Sequence, residues 1–497
     1  MSANLIDDKV LKLIESHLVP REEEKKTFGE VFTPIDNICE MLDKLPANVW
    51  MNPDLKWLDP SSGIGNFIIV VYYKLFASLK NHKSLTNNKK RSKWIIEKML
   101  FMNELNPQNV VLTKKIFKMI DPDASPNIFK GDFLKNNTIL NNMDIIIGNP
   151  PYNEPEGSES LYTKFILKIL SDNFKGNEFK GKLLFLVPSR WFTSVKGLND
   201  FREFMLKRDD IVFINHIPDS KTIWPTVDIA GGINYFLIDT EYSGPSAFTD
   251  TETKTTTNLT LNKFDILVPN TKAYSIINKI LDKPKLSDIY LSTKYYGINT
   301  NSRHFLSANK NNVNDQNDSE TDLVKCYVSK RKGFVKYVDK KHILNPYHFW
   351  KVFVTQGNGK VNDGFINFII GSPNEIASQS YFTLKVKSKT EAESLITYLE
   401  TDLASFMLWL RKIDHHINKD TLSWIPLPPL NKKWTNTAVQ KYYNLSETEI
   451  KTISTKNNEN RIKGNKTKGN KIKIIRKTRK QNQTKIKGKT RKNLLIR

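Results

Sequence analysis

Asp144-Ile145-Ile146-Ile147-Gly148-Asn149-Pro150-Pro151-Tyr152 is the stretch on which the reading of this chain turns. A run of three isoleucines fits a strand buried on both faces, as in parallel sheets covered by helices. The glycine, amide, two prolines and aromatic ring that follow end the strand and gather at its carboxyl end. The Asn149 side-chain oxygen is one acceptor there. The Pro150 carbonyl is a second, because successive prolines fix φ and carry no N–H to fold back on it. Two acceptors set against the two N–H bonds of a planar amino group would return its delocalised lone pair to nitrogen. They gain most as that nitrogen becomes tetrahedral and cationic, so they favour a transition state in which the amine attacks an electrophile. Tyr152 adds a stacking face for a flat ring. An ordinary turn of Asn and Pro after a buried strand has the same letters, so the neighbouring segments decide between the two.

Upstream, Leu55-Lys56-Trp57-Leu58-Asp59-Pro60-Ser61-Ser62-Gly63-Ile64-Gly65-Asn66-Phe67 reads as a strand, a glycine turn and the start of an apolar helix reaching about Leu79. Gly63 and Gly65 allow backbone to approach a ligand closely at a helix N-terminus. A second strand near Met99–Met102 ends in Asn103-Glu104, which puts a carboxylate where ribose hydroxyls can be held. A third ends before Gly131-Asp132-Phe133-Leu134, and supplies another acid. Successive strands that each end in an acid or a glycine turn describe a ligand crevice along an open α/β sheet.

With these segments in order, the chain resembles the N6-adenine DNA methyltransferases, in the class whose cofactor motifs precede the catalytic motif and whose recognition region follows. Gly29-Glu30-Val31-Phe32-Thr33-Pro34 is similar to that family's motif X, Asp59–Phe67 to motif I, Glu104 to motif II, Asp132-Phe133 to motif III and Asn149–Tyr152 to motif IV. The resemblance implies S-adenosylmethionine as cofactor and no metal. Phe32, Thr33, Pro34, Asp59, Gly63 and Gly65 then line its methionine side, Glu104 binds ribose, and Asp132 with Phe133 holds the cofactor adenine. Asn149, Pro150, Pro151 and Tyr152 carry the catalytic chemistry. In the family a second aromatic sandwiches the extruded target base against the motif IV ring; Trp224, in Thr222-Ile223-Trp224-Pro225, holds the matching place, and an ordinary core tryptophan is the competing reading.

The chain has 497 residues, more than one core usually supports, so at least two domains are expected. Cys39 and Cys326 are its only cysteines, too few for a disulfide framework or a zinc site, which fits a reducing compartment. The start lacks the basic and apolar regions of a signal peptide, and no apolar run approaches transmembrane length, so an intracellular, unsecreted protein is expected. The formal net charge is +24, and sixteen Lys and Arg without one Asp or Glu lie between Arg461 and Arg497. That polar, aperiodic tail reads as disordered; on a phosphate backbone it would bind without sequence information.

The expected fold is α/β, a doubly wound and mostly parallel seven-stranded methyltransferase sheet over residues 1–240, with strands near 55, 99, 127, 144, 183, 211 and 233. The Thr-rich segment 241–262 reads as a linker or hairpin. Residues 263–455 read as a mixed α+β target-recognition domain, and 456–497 as the basic tail. A long amphipathic helix is expected over Thr390–Lys412. Basic and aromatic residues interleave around Tyr295 and Tyr296, and Arg303, Lys330, Arg331, Lys332 and Lys336 are the candidates for contact with DNA.

Lys419-Asp420-Thr421-Leu422-Ser423-Trp424-Ile425-Pro426-Leu427 resembles a segment that closes the recognition region of type IIG restriction and modification proteins. Those often carry a nuclease ahead of the methyltransferase, but only about 28 residues precede Gly29, too few for a nuclease fold. Modification of double-stranded DNA without cleavage is expected, by a monomer, with room for a separately encoded cognate endonuclease as partner and no membrane. The same four-residue motif also suits cytosine N4, RNA adenine or a protein glutamine amide. The basic C-terminal region favours nucleic acid over protein. A DNA-binding subunit that has lost activity is the remaining class, and the intact Asn149–Tyr152 motif weighs against it.

Overall fold

The computed structural model describes residues 6–17, 32–136, 138–153, 160–170, 179–193, 197–306, 322–328, 334–357, 364–412 and 416–457. The chain divides into two compact units, Met1–Thr271 and Lys272–Arg497.

In the first unit, β1 (Trp57–Asp59), β2 (Leu100–Glu104), β3 (Asn127–Lys130), β4 (Ile145–Gly148), β5 (Lys182–Pro188), β6 (Ile211–Ile217), β7 (Ile233–Asp239), β8 (Ser246–Asp250) and β9 (Thr255–Leu259) form one sheet in the order β3-β2-β1-β4-β5-β7-β6-β8-β9. The five strands from β3 to β5 are parallel. β7 enters antiparallel between β5 and β6. Where seven strands are expected there are nine. The Thr-rich segment forms the hairpin β8–β9, whose first strand runs parallel to β6. Threonine is β-branched and suits an exposed pleated edge, which is why a polar stretch with no apolar alternation pairs there.

The apolar runs act as expected. Ile145, Ile146 and Ile147 of β4 are at most 2 % exposed, as a central strand covered on both faces requires. The first unit's helices are α1 (Asp8–Glu15), α2 (Ile35–Leu42), α3 (Asn66–Ser78), α4 (Asn88–Trp94), α5 (Pro107–Ile120), α6 (Leu161–Leu170) and α7 (Asn199–Leu206). α3 packs nearly its whole length into the core through Phe67, Ile68, Ile69, Val70, Val71 and Leu75. α5 starts with Asn106 accepting from Gln108 N and Pro107 in its first turn, a pairing that fixes where the chain turns after β2. The parallel strands deliver their carboxyl ends, at residues 59, 104, 130 and 148, to one edge of the sheet.

In the second unit, β10 (Tyr290–Leu291), β14 (Trp350–Thr355), β15 (Phe368–Gly371) and β17 (Tyr381–Val386) form one four-stranded sheet, and β11 (Phe305–Leu306), β12 (Leu323–Tyr327), β13 (Val335–Asp339) and β16 (Glu375–Ala377) another. Tyr296, Cys326, Val338, Phe353, Ile376 and Tyr381 share a core. The helices are α8 (Ala273–Ile280), α9 (Lys389–Leu399), α10 (Asp402–Arg411), α11 (Lys419–Leu422) and α12 (Asn436–Tyr442), with a further helical stretch over 447–457. The long helix expected over Thr390–Lys412 is two helices. Thr401 breaks it by leaving helical φ/ψ and capping α10 through Ala404 N, so an N-cap signal lies inside a stripe whose periodicity continues across it. Lys330, Arg331, Lys332 and the tail beyond residue 457 lie outside the described residues, as do Gly29, Glu30 and Val31. No helix among the described residues is long and apolar enough to cross a membrane.

Candidate active site

The carboxyl edge of the first unit's parallel strands holds a cavity of about 320 Å³, within the usual range for ligand sites. It is walled by every strand end that the sequence singles out: Asp59, Gly63, Glu104, Asp132, Phe133 and Asn149–Tyr152, with Phe32 and Thr33 closing one side. Pro34 and Gly65, expected to line the same side, are not among the lining residues: Pro34 is the N-cap of α2 and Gly65 that of α3.

The glycine turn after β1 is shaped by what leans on it. Gly63 sits at φ +53°, and a Cβ there would come within 2.7 Å of the Phe32 ring. Its N–H donates to Glu104 Oε2 at 2.7 Å, while Asn106 N donates to Oε1 at 2.7 Å. Glu104 is thereby oriented by two backbone amides, one from each neighbouring loop. Asn103 Nδ2 donates to Gly131 O at 2.9 Å, and Gly131 N donates to Glu104 O at 2.9 Å, so the ends of β2 and β3 are tied together. Asp132 Oδ1 accepts from Leu134 N at 2.9 Å and opens the short turn Phe133–Lys135.

Asp59 is 1 % exposed. Burial pushes its carboxyl up to about 8, and the Glu104 charge adds to that, while the Ser61 N–H at 3.0 Å opposes it. A cation placed beside this carboxyl would restore its ionised form.

Around the Asn149–Tyr152 loop, Asn149 Nδ2 donates to Thr33 Oγ1 at 3.3 Å, and Thr33 O accepts from Asn66 Nδ2 at 3.1 Å. Trp224 Nε1 donates to Phe32 O at 2.9 Å. The Phe32-Thr33 segment is thus pinned by the glycine-turn helix, by the Asn149–Tyr152 loop and by the β6–β7 connection. Trp224 reaches Tyr152, with ring centroids 6.5 Å apart and planes at 69°. The two rings are therefore not the parallel pair that a sandwich needs: a base lying flat on Tyr152 would meet Trp224 by an edge. Trp224 is 6 % exposed and packs in the core against Tyr152, outside the set of residues that line the cavity.

Sequence reasoning missed part of the wall. Leu161 and Phe165 of α6 line the cavity, and Phe165 stacks on Phe133 at 4.9 Å and 26°. On one apolar helix face they carried no signal that separates a ligand wall from core. Asn66 and Asn103 line it as well. Ser61 Oγ, Ser62 Oγ, Asn66 Oδ1 and Asn103 Oδ1 are buried and meet no hydrogen-bond partner among the described residues. Orphaned polar atoms are costly in a core. Gathered on the wall of one cavity, they fit a polar ligand with many donors and acceptors, such as a nucleoside bearing an amino acid. In the second unit, Arg303 is exposed and Lys336 Nζ lies 4.8 Å over the Phe305 ring.

This sheet order, with an acid-lined cavity at its carboxyl edge, is the open α/β architecture expected from the sequence. Residues 69–224 match the Eco57I restriction-modification methylase family. A curated relative, an uncharacterized adenine-specific methylase of Mycoplasma pneumoniae (strain ATCC 29342 / M129 / Subtype 1), is 25% identical, over 43% of this chain and 68% of the relative. Among solved structures, a modification subunit of a putative type I restriction enzyme from Vibrio vulnificus YJ016 is 19% identical with a TM-score of 0.35, and the match covers 49% of this chain. The chain thus spans about half, 52%, of that subunit. The type IIL restriction-modification enzyme MmeI in complex with DNA is 11% identical with a TM-score of 0.42, covering 81% of this chain and 68% of MmeI.

Proposed function

We propose that the chain methylates N6 of an adenine extruded from duplex DNA, with S-adenosylmethionine as cofactor. One observation carries this reading: the Asn149–Tyr152 loop and the acids Asp59, Glu104 and Asp132, separated by up to 93 positions in sequence, line a single cavity. The residues fit the cofactor: Asp59 suits its ammonium, Glu104 its ribose hydroxyls, Asp132 and Phe133 its adenine, and Phe32, Thr33 and Gly63 its methionine side. When bound, S-adenosylmethionine supplies an electrophilic methyl group.

The chain's own residues do the rest. Asn149 Oδ1 and Pro150 O accept the two N–H bonds of the target amine and raise the nitrogen's nucleophilicity without removing a proton beforehand. Tyr152 presents its face to the extruded base and Trp224 its edge. Extrusion costs a few kcal/mol, which stacking in the pocket and contacts to the DNA backbone offset. The second unit is the target reader in this proposal, with Arg303, Lys336 and the basic segment Lys330-Arg331-Lys332 on phosphates and bases. Its role places the chain inside a cell that holds the DNA, as a monomer, with a separately encoded endonuclease as the natural partner of a modification enzyme.

The test is base-resolved methylation mapping of duplex DNA treated with the protein and S-adenosylmethionine, with Asn149→Ala as control. N6-methyladenine in one sequence context, absent from the control, is the expected result. Methyl groups on cytosine N4, on RNA or on glutamine would replace the proposed substrate. No transfer together with no cofactor binding would leave a DNA-binding subunit.

A further inference from the structure

α6 brings Phe165 to the cavity, and one turn along the same helix Lys168 points at the loop opposite. Its Nζ donates to Phe133 O at 2.7 Å, Leu134 O at 2.9 Å and Asn136 O at 2.8 Å. The three N–H bonds of one ammonium thus meet three carbonyls of one turn. The same Nζ lies 5.0 Å over the Phe133 ring, and Lys168 is only 8 % exposed. Burial lowers its basicity and the Asp132 charge opposes that. A buried cation is costly, and a leucine or methionine would fill this helix position more cheaply. What an ammonium adds is convergence, because three carbonyls that repel one another are drawn to one point.

That turn supplies Asp132, Phe133 and Leu134 to the cavity wall. Asp132 Oδ1 holds its first half through Leu134 N, and Lys168 holds its second half. Phe133 then stacks on Phe165, itself three residues before Lys168 on α6. The wall is made of two elements that touch through rings and are fastened by one side chain.

We infer that Lys168 is a positioning residue for the adenine end of the cofactor cavity: by gathering the Phe133, Leu134 and Asn136 carbonyls it fixes the 132–136 turn against α6, so that Asp132 and the two phenylalanines face a base in one arrangement. The inference rests on the cofactor assignment proposed above. Lys168 touches no reacting atom, and its effect is on which base the cavity accepts.

Two probes separate positioning from bulk packing: S-adenosylhomocysteine and its deaminated analogue S-inosylhomocysteine, titrated calorimetrically into the full chain. The wild-type protein prefers the adenine form. In Lys168→Met, which keeps the side-chain volume, affinity for S-adenosylhomocysteine falls about tenfold or more, and the preference for adenine over hypoxanthine shrinks toward unity. A variant that weakens both ligands equally and keeps the preference shows a packing role and overturns the inference. If Lys168→Met does not fold, Lys168→Gln, which retains N–H donors on a shorter arm, takes its place: a reduced preference supports the inference and a wild-type preference overturns it. No binding by the wild-type chain removes the cofactor assignment and this inference with it, whereas wild-type binding with an unchanged preference in the variant removes this inference alone.

Discussion

A Cβ at residue 148 would lie 2.7 Å from Asp59 Oδ1. Gly148, at φ +150°, is the last residue of β4 and directly precedes Asn149, so the Asn149–Tyr152 loop leaves its strand by passing over the carboxyl that ends β1. The acid assigned to the cofactor and the amide assigned to the target amine are thereby set at a fixed offset by one missing side chain.

Gly148→Ala is accordingly expected to cost about 1–3 kcal/mol of stability, because that φ suits only glycine, and to weaken S-adenosylhomocysteine binding by displacing Asp59. Denaturant unfolding and calorimetry read the two effects. Wild-type affinity in a folded variant would mean that Asp59 yields without consequence for the ligand.

The raised carboxyl of Asp59 has a signed consequence for pH. Its folded value of about 8 lies above the ordinary 3.8, so the ligand-free chain holds that proton more tightly than the unfolded chain does. This stability is fully present below pH 3.8 and is lost as pH rises through about 8. A ligand ammonium prefers the ionised carboxyl, so S-adenosylhomocysteine affinity should rise over the same interval and binding near neutrality should release a proton. Urea unfolding against pH and calorimetry in buffers of different ionisation enthalpy check both, and Asp59→Asn should flatten each dependence.

Asn149→Ala should lower turnover by about 10²–10³-fold or more, as loss of a transition-state acceptor does, while S-adenosylhomocysteine affinity stays within a few-fold. The amide also donates to Thr33 Oγ1, so Asn149→Asp, which keeps an acceptor and loses that donor, should be impaired as well. Single-turnover methyl transfer at saturating cofactor is the measurement, and near-normal transfer by the alanine variant removes Asn149 from the chemistry.

Asp132 has two tasks that substitutions can separate. Asp132→Asn keeps an acceptor for Leu134 N and changes only what faces the ligand, whereas Asp132→Ala also releases the turn. Cofactor affinity should fall in both and further in the alanine variant. Equal affinities in wild type and both variants would show that Asp132 does not read the ligand.

Trp224→Phe keeps a ring beside Tyr152 and loses the bond to the Phe32 carbonyl, at about 1–3 kcal/mol if that acceptor is left buried. Trp224→Ala loses the ring too. Fluorescence of 2-aminopurine at the target position should therefore report extrusion nearly intact in the first and impaired in the second. Equal signals from both would deny the ring a part in holding the base.

The strand ends were legible because each announces itself locally. Asp59 with its glycines, Glu104, Asp132 and Asn149–Tyr152 are short polar punctuation after apolar runs, and a parallel sheet leaves such ends only one edge on which to gather. Phe165 and Lys168 were not legible, since a phenylalanine and a lysine on an apolar helix read as core and as a charge reaching for solvent. The break at Thr401 was hidden by a hydrophobic period that runs through it. The hairpin β8–β9 was one of two readings of the Thr-rich segment; its addition to the sheet beside β6 was not legible, because that pairing depends on an edge that a polar segment does not advertise. The angle between Tyr152 and Trp224 depends on packing around both rings, and residue identity alone does not set it.

The bond from Trp224 to Phe32 spans 192 residues of chain. A contact of such sequence separation closes late, since loop entropy must be overcome before it contributes. As the chain emerges amino-terminus first from a ribosome, the glycine turn, the acids and the Asn-Pro-Pro-Tyr loop are all synthesised before the residue that fastens Phe32 exists. A nascent or truncated product ending short of Trp224 would therefore carry each element of the pocket without its latch, and a ligand-binding assay on stalled chains of increasing length should show capture beginning only once the β6–β7 connection has been made.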